Sequence, residues 1–101
     1  MGKAESSVED YLGNRVKATG GSIRKLKWIG RRGAADRLVW YKFPNCAFVE
    51  VKAPGKDIDW RSSQGREFRR MEADGWPCFV VSSHEQVDFV LECVRTGARY
   101  L

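Results

Sequence analysis

The chain has 101 residues, of which 43% are hydrophobic and 31% are charged. A chain of this length can bury one compact core but not a second, so we expect a single domain spanning residues 1–101. The net charge of +5 is unevenly spread: residues 15–37 carry +7 and the remainder of the chain carries −2. Such segregation favours a polyanionic partner, in particular a nucleic acid.

The cysteines Cys46, Cys78 and Cys93 are odd in number, widely spaced and without the Cys/His spacing of a zinc site. They indicate neither a disulfide framework nor bound zinc, and they favour a reducing compartment. The sequence shows no apolar signal region and no run of about 18 apolar residues that could span a membrane. We therefore expect a soluble, intracellular protein.

A helix followed by three strands is expected in the first half of the chain. Ser6 and Glu9 form a capping-box pair, and apolar residues at helical spacing follow until Gly20 and Gly21 end the helix. Alternating and β-branched sequence then predicts strands at residues 22–29, 38–42 and 47–52. A flexible basic loop at 30–33 separates the first two strands, and a turn at 43–45 separates the last two.

The second half predicts a helix, a strand and a final helix. The helix begins at about Asp59 or Ser62 and ends at Asp74, with Phe68 and Met71 on its buried side. Residues 78–81 are wholly apolar, as in the interior of a sheet, and a capping box at 83–86 begins the last helix. The order α-β-β-β-α-β-α predicts an α/β fold with a mixed β-sheet flanked by helices.

Two charged residues interrupt the apolar sequence of the third strand. Glu50 and Lys52 lie on the same face, about 6 to 7 Å apart, while Ala47, Val49 and Val51 face the other way. That distance lets Glu50 and Lys52 share one metal ion or one water molecule. The ordinary alternative is a half-solvated or edge strand that carries an ion pair.

Asp36 joins these charges if the second and third strands form a hairpin centred near Pro44. That register places residue 36 opposite 52 and residue 38 opposite 50, so that Asp36 is diagonal to Glu50 on the same face. A slip of one residue would move Asp36 to the other face. Two carboxylates and an ammonium beside a glycine-rich basic loop suit Mg²⁺ or Mn²⁺.

The segments Gly33–Arg37 and Phe48–Lys52, followed by Gln64, together resemble the signature of the VRR-NUC domain. This virus-type replication-repair nuclease domain belongs to the restriction-endonuclease-like, PD-(D/E)XK superfamily. The resemblance covers nearly the whole chain, from Glu9 on the first helix through Gly75 and the apolar strand after it. The chain differs at Ala35, where the family usually has proline, which affects the rigidity of the loop and not its chemistry.

The resemblance implies a divalent-metal-dependent endodeoxyribonuclease with a restriction-endonuclease-like core. Asp36, Glu50 and the backbone carbonyl of Val51 would hold Mg²⁺ or Mn²⁺. Lys52 would position or deprotonate the attacking water and offset charge on the phosphorane. Gln64 would orient the water or a phosphate, with an ordinary surface position as the alternative.

The resemblance also gives Glu9 a role, as a further carboxylate acting directly or through water. The alternative for Glu9 is a capping box and nothing more. Basic side chains near the metal loop are natural phosphate contacts, although some belong to the ordinary solvated surface; they are Lys25, Lys27, Arg31, Arg32 and Arg37. The four tryptophans could stack on bases, but a position in the core or at an interface is the commoner role.

Small members of the family resemble junction resolvases, which cut branched DNA as symmetric dimers. The resemblance therefore implies a Holliday-junction-resolvase-like homodimer acting on four-way junctions or flaps, in the cytoplasm of a bacterial or phage-infected cell. One alternative is a non-catalytic nucleic-acid-binding module on the same fold, against which the intact Asp36, Glu50 and Lys52 argue. Another is a structural protein in which Glu50 and Lys52 simply pair, and it leaves Asp36 unexplained.

Overall fold

The computed structural model of the protein describes residues 3–30 and 35–97. The elements occur in the expected order: helix α1 (Lys3–Ala18), strands β1 (Ser22–Lys25), β2 (Arg37–Trp40) and β3 (Cys46–Val51), helix α2 (Ser63–Ala73), strand β4 (Cys78–Val81) and helix α3 (His84–Thr96). Within the described residues, no helix is both long enough and apolar enough to cross a membrane.

The four strands form one mixed sheet in the order β1-β2-β3-β4. The first three are antiparallel neighbours, and β4 pairs parallel with β3. The parallel pair requires a crossover connection, which α2 supplies. The predicted α/β architecture with a mixed sheet flanked by helices is therefore confirmed.

In the described part of the chain β4 is an edge strand, so the prediction that it lies inside the sheet is wrong. Its apolar composition has another cause, because both of its faces are covered. Val81 is buried on one face, while Cys78 and Val80 pack into a cluster with α2 on the other. Coverage of the faces thus explains the apolar sequence without a second neighbouring strand.

Two hydrophobic layers cover the two faces of the sheet. The larger layer packs α1 and α3 against the strand residues Val39, Ala47, Val49, Val51 and Val81. The smaller layer contains Phe68 of α2 and residues of β3 and β4. Because side chains alternate along a strand, Phe48 and Glu50 point to the α2 side, as the sequence predicts.

Helix α1 begins at Lys3, so the predicted start at Ser6 is wrong. Ala4 and Glu5 favour helix strongly enough to extend it in the N-terminal direction. Ser6 and Glu9 then lie inside the helix, which removes the capping-box interpretation of Glu9. The predicted cap of α3 does form, because Ser83 Oγ accepts a hydrogen bond from Gln86 N at 3.1 Å.

The register of the β2–β3 hairpin differs from the prediction by two residues. Arg37 pairs with Val49 and Leu38 with Phe48, because the hairpin is centred on Phe43 and not on Pro44. A shift of two residues keeps every side chain on its predicted face. The next position in this register places Asp36 directly across from Glu50 instead of diagonal to it.

The start of α2 lies very close to the preceding turn. Ser62 caps the helix by accepting a hydrogen bond from Gly65 N at 3.3 Å. A Cβ atom on Gly65 would lie 2.4 Å from Trp60 Cα, closer than van der Waals contact permits. Glycine at this position therefore lets the turn at Trp60 fold back closely against the first turn of α2.

We expect Gly65→Ala to lower the free energy of unfolding by about 1–3 kcal/mol, because the backbone of Trp60 must move to admit the methyl group. Gly13→Ala is the matched control, since no atom lies within 4 Å of a Cβ at that helical position. The control should stabilise the protein by about 0.5–1 kcal/mol. Urea unfolding measures both changes, and an unchanged midpoint for Gly65→Ala would contradict the close contact.

Candidate active site

Asp36 and Glu50 are brought together by the β2–β3 hairpin. Asp36 immediately precedes β2, and Glu50 lies near the end of β3. Glu50 is 8% exposed, whereas 38% of the Asp36 side chain is accessible. The antiparallel register holds the two carboxylates opposite each other on the face that α2 covers in part.

One oxygen of each carboxylate is buried without a hydrogen-bond partner. These atoms are Asp36 Oδ1 and Glu50 Oε1. Among the described residues, no other buried side-chain nitrogen or oxygen lacks a hydrogen-bond partner. Leaving a buried charged oxygen unpaired is costly, so native proteins rarely retain one without a function. Two such atoms from facing residues are a suitable pair of ligands for a hard cation.

The electrostatics of Glu50 show that its negative charge is disfavoured. Burial raises the pKa of the Glu50 carboxyl, and the neighbouring charge of Asp36 raises it further. The side chains of Gln64 and Lys52 act in the opposite direction by favouring the ionised form. A bound divalent cation would remove the repulsion between the two carboxylates.

Asp36 lies in a similar electrostatic environment. Burial raises the pKa of Asp36 and the charge of Glu9 adds to the rise, while Arg37 and Lys25 oppose it. The pKa values of both carboxyls are therefore raised by the same two kinds of cause. One is burial, and the other is a nearby negative charge, which is Glu9 for Asp36 and Asp36 for Glu50.

Lys52 lies beside Glu50 at the end of β3. Its Nζ is 3.4 Å from Glu50 Oε2, and 27% of its side chain is exposed. Its backbone N–H donates a hydrogen bond to Val81 O at 2.9 Å, which continues the pairing with β4. The ion pair that the ordinary alternative requires is thus present, but it uses one oxygen of Glu50 and leaves the other without a partner.

Gln64 and Val51 also lie at this site. Gln64 is the second residue of α2, it is half-buried, and its side chain reaches Glu50. The N–H of Lys52 points toward β4, so the N–H and C=O of Val51, one residue earlier, point to the other side, toward β2. Since β2 begins at Arg37, the Val51 carbonyl faces the segment just before β2, next to Asp36.

Glu9 is connected to Asp36 through a buried arginine. The Arg37 side chain is 6% exposed, and its guanidinium lies 2.7 Å from Glu9 Oε2 and 3.0 Å from Asp36 Oδ2. Arg37 therefore holds one oxygen of Asp36 and leaves Oδ1 for another ligand. In this conformation Arg37 pairs with two carboxylates, and its predicted phosphate contact stays a prediction.

Sequence reasoning missed this bridging position of Arg37. Strand alternation was a usable signal, because Arg37 shares a face with the buried Val39, where an arginine requires anionic partners. Sequence reasoning also missed Trp28, whose indole N–H donates to Ala35 O at 2.7 Å. Ala35 is fully buried, so packing and this hydrogen bond restrain the chain before Asp36 where the family usually has proline.

The other predicted DNA contacts lie at the periphery of the site. Lys25 and Lys27 are exposed, and Lys25 lies at the end of β1 beside Arg37 of β2. Arg31 and Arg32 lie outside the described residues. Within residues 3–30 and 35–97, His, Cys, Asp and Glu side chains form no group of three or more around a common metal position. The protein side chains thus offer a cation two facing carboxylates.

Comparison with known proteins identifies the family. No protein-family model matches the chain. A solved structure described as "VRR_NUC domain" superposes with a TM-score of 0.81 at 39% sequence identity, covering 90% of this chain and 97% of that chain. "Putative nuclease p44" of Acyrthosiphon pisum secondary endosymbiont phage 1 is 38% identical over 81 residues, which are 80% of this chain and 85% of the relative. This chain belongs to the VRR-NUC nuclease family.

Membership in the VRR-NUC family confirms the resemblance that Asp36, Glu50 and Lys52 first indicated. The matches cover most of both proteins, so the likeness extends well beyond a short motif. The structure brings Asp36, Glu50, Lys52 and Gln64 to one place and connects Glu9 to it through Arg37. The chemical roles of these residues stay predictions.

We expect Glu50→Gln to change how stability depends on pH in the presence of EDTA. Because the pKa of Glu50 is raised in the folded protein, the folded state binds more protons than the unfolded state, and the wild type loses stability as pH rises. Glutamine does not titrate, so the stability of the variant relative to wild type should increase as pH rises above the ordinary glutamate value of 4.5, and should level off once Glu50 is ionised in the folded wild type. Urea unfolding across this range measures the difference, and a constant or falling difference would contradict the raised pKa.

Proposed function

We propose that this VRR-NUC protein is a divalent-metal-dependent endonuclease that hydrolyses phosphodiester bonds of DNA. The observation that carries the proposal is the pair of buried carboxylate oxygens without partners, Asp36 Oδ1 and Glu50 Oε1. Burial and, after it, the charge of Asp36 raise the pKa of Glu50, and a bound cation would relieve both effects. The family of the chain supports nuclease chemistry at this position.

The donor set fits Mg²⁺ or Mn²⁺. Both ions prefer oxygen ligands and retain several waters, so the carboxylates of Asp36 and Glu50 with the carbonyl of Val51 are sufficient protein ligands. When bound, such an ion supplies Lewis-acid stabilisation and makes hydroxide accessible at neutral pH. Arg37 orients Asp36 for this role by binding its other oxygen.

Lys52 and Gln64 act on the attacking water and on the developing charge. Lys52 Nζ, adjacent to Glu50, places an ammonium where negative charge grows on the phosphorane. Gln64 offers an amide that can donate to the water or to a phosphate oxygen. In-line attack would leave a 5′-phosphate and a 3′-hydroxyl.

The proposed substrate is branched DNA, a four-way junction or a flap, cut by a homodimer. Paired cuts across a symmetric junction need two active sites related by a two-fold axis. The edge of β4 offers a surface for a second copy: Pro77 O and Val81 O accept hydrogen bonds from β3, so the main-chain groups of Cys78 and Val80 point away from β3. Two such edges can pair antiparallel about a two-fold axis.

The alternative is a nucleic-acid-binding module that keeps the fold but does not cleave. It accounts for the net charge of +5 and for the exposed Lys25 and Lys27. It gives no reason for the buried, unpartnered carboxylate oxygens of Glu50 and Asp36, whose charges repel phosphate. Cleavage assays separate the two functions.

We expect cleavage of DNA in Mg²⁺ or Mn²⁺ and none in EDTA, tested on four-way junction, flap and linear duplex substrates. Glu50→Gln and Lys52→Met should each slow cleavage by about 10²-fold or more, because each removes a charged group at the reacting phosphate. Lys56→Met is the matched control: this lysine is exposed in the loop after β3 and should leave the rate unchanged.

Binding without cleavage of any substrate would support the non-catalytic alternative. Full activity in Glu50→Gln would disprove the assignment of the site, while retention of activity in Lys52→Met alone would remove only the role of Lys52. Cleavage of linear duplex in preference to branched DNA would disprove the proposed substrate but leave the nuclease function intact.

We expect the protein in solution to have twice its monomer mass of 11.5 kDa by light scattering. If the β4 edges pair, the amides of Cys78 and Val80 should become protected from hydrogen exchange as protein concentration rises. The amide of Thr19, which donates within its own chain to Arg15 O at 3.0 Å, is an internal control. A monomeric mass at all concentrations would disprove the dimer.

A further inference from the structure

The sheet face that carries Glu50 also carries an aromatic surface. Trp28, Phe48 and Trp76, here called the aromatic strip, form a continuous series of ring contacts. The Trp28 and Phe48 ring centroids are 6.0 Å apart, and the Phe48 and Trp76 centroids are 6.1 Å apart. Trp28 is 37% exposed and Trp76 is 52% exposed, so both retain ring surface that the protein does not cover.

The strand register places this strip beside the facing carboxylates. Phe48 and Glu50 are two residues apart on β3 and point to the same side, which separates them by about 6.6 Å. At the other end of the strip, the Trp28 indole binds the carbonyl of Ala35, the residue before Asp36. The strip therefore reaches the residue before Asp36 at its Trp28 end, and at Phe48 it is one same-face position away from Glu50.

This part of the sheet face is open because α2 packs against β4 and leaves β1 and β2 largely uncovered in the described part of the chain. Arg24 and Leu38 are cross-strand partners in line with Phe48, and Arg24 is exposed. The Arg24 guanidinium lies 5.0 Å from the ring centroid of Trp40. The open face thus combines aromatic rings with positive charge, the composition that binds single-stranded nucleic acid.

We infer that the aromatic strip is a binding site for unpaired nucleotides, whose bases stack on Trp28 and Trp76 while a neighbouring phosphate lies at Asp36 and Glu50. Bases within a duplex are already stacked on each other and cannot use such a surface, whereas bases freed at a branch or a flap can. The exposed Arg24, which shares this face with Phe48, complements the charge of the nucleic-acid backbone. This inference rests on the proposed nuclease function for the position of the cut and gives that function its preference for DNA with unpaired bases.

The test separates base stacking from phosphate attraction. Fluorescence anisotropy would measure binding of labelled oligothymidine of about 12 nucleotides and of an abasic oligomer of the same length, in EDTA to prevent metal-dependent cleavage. The two probes carry the same charge and differ in their bases. We expect the wild type to prefer oligothymidine by about 5- to 100-fold.

Two substitutions at Trp28 isolate the aromatic face. Both Trp28→Phe and Trp28→Leu lose the hydrogen bond to Ala35 O, but only phenylalanine keeps a flat ring. Trp28→Leu should abolish most of the preference for oligothymidine, while Trp28→Phe should keep it within about threefold. The same pair at Trp76 repeats the comparison at a residue away from Ala35, and Phe43→Leu is the control, because Phe43 is 97% exposed at the opposite end of the hairpin.

Equal binding of the two probes by the wild type, or equal loss in the phenylalanine and leucine variants, would overturn the inference. The inference would also be overturned if the leucine variants self-associated more weakly but kept the preference for oligothymidine. That result would show that the strip is a contact surface between two copies of the chain. Cleavage of four-way junction, flap and linear duplex DNA by the wild type in Mg²⁺ is measured separately. Absence of a base preference in the wild type together with cleavage would disprove the aromatic site alone, and absence of cleavage of every substrate together with a base preference would disprove the nuclease function alone.

Discussion

The antiparallel pairing of β2 with β3 is the constraint on which the candidate site depends. Arg37 pairs with Val49, and the next position sets Asp36 across from Glu50, with one oxygen of each carboxylate buried and unpartnered. A shift of one residue in this register would move Asp36 to the opposite face and separate the two acids. The buried residues Val39, Ala47 and Val49 prevent that shift, because it would expose them to water. The hydrophobic core therefore determines the geometry of the carboxylates as well as the stability of the fold.

Arg37 connects this hairpin to the first helix. Its buried guanidinium forms ion pairs with one oxygen of Glu9 and with one oxygen of Asp36. Removing one partner of such a group leaves an uncompensated buried charge, so the three residues act as one unit. The arrangement gives Glu9 an indirect role, because it fixes the residue that in turn fixes Asp36. It also explains how α1, on one side of the sheet, can influence carboxylates on the other side.

The site combines features that oppose folding with features that suit chemistry. Facing carboxylates, raised pKa values and unpartnered oxygens all destabilise the protein without a cation, which is typical of sites selected for function. The two hydrophobic layers offset this cost, and the smaller layer packs Phe68 of α2 on the sheet face that carries Glu50. The uncovered face of β1 and β2 leaves aromatic rings on the sheet face that carries the carboxylates, so that the proposed binding surface and the proposed chemistry share one face of the sheet.

The sequence by itself determined the order of the elements and the faces of β3, because periodicity and residue chemistry are local properties. The strand pattern and the expected hairpin pointed to Asp36, Glu50 and Lys52, and the family resemblance added Gln64. The error of two residues in the hairpin did no harm because strand faces repeat every two residues. Only the tertiary structure decided that β4 is an edge within the described residues, that Arg37 bridges two acids, and that Trp28 and Trp76 join Phe48 in one series of ring contacts. These properties depend on which segments become neighbours in space, and contacts between residues far apart in the chain leave no periodic signal in the sequence.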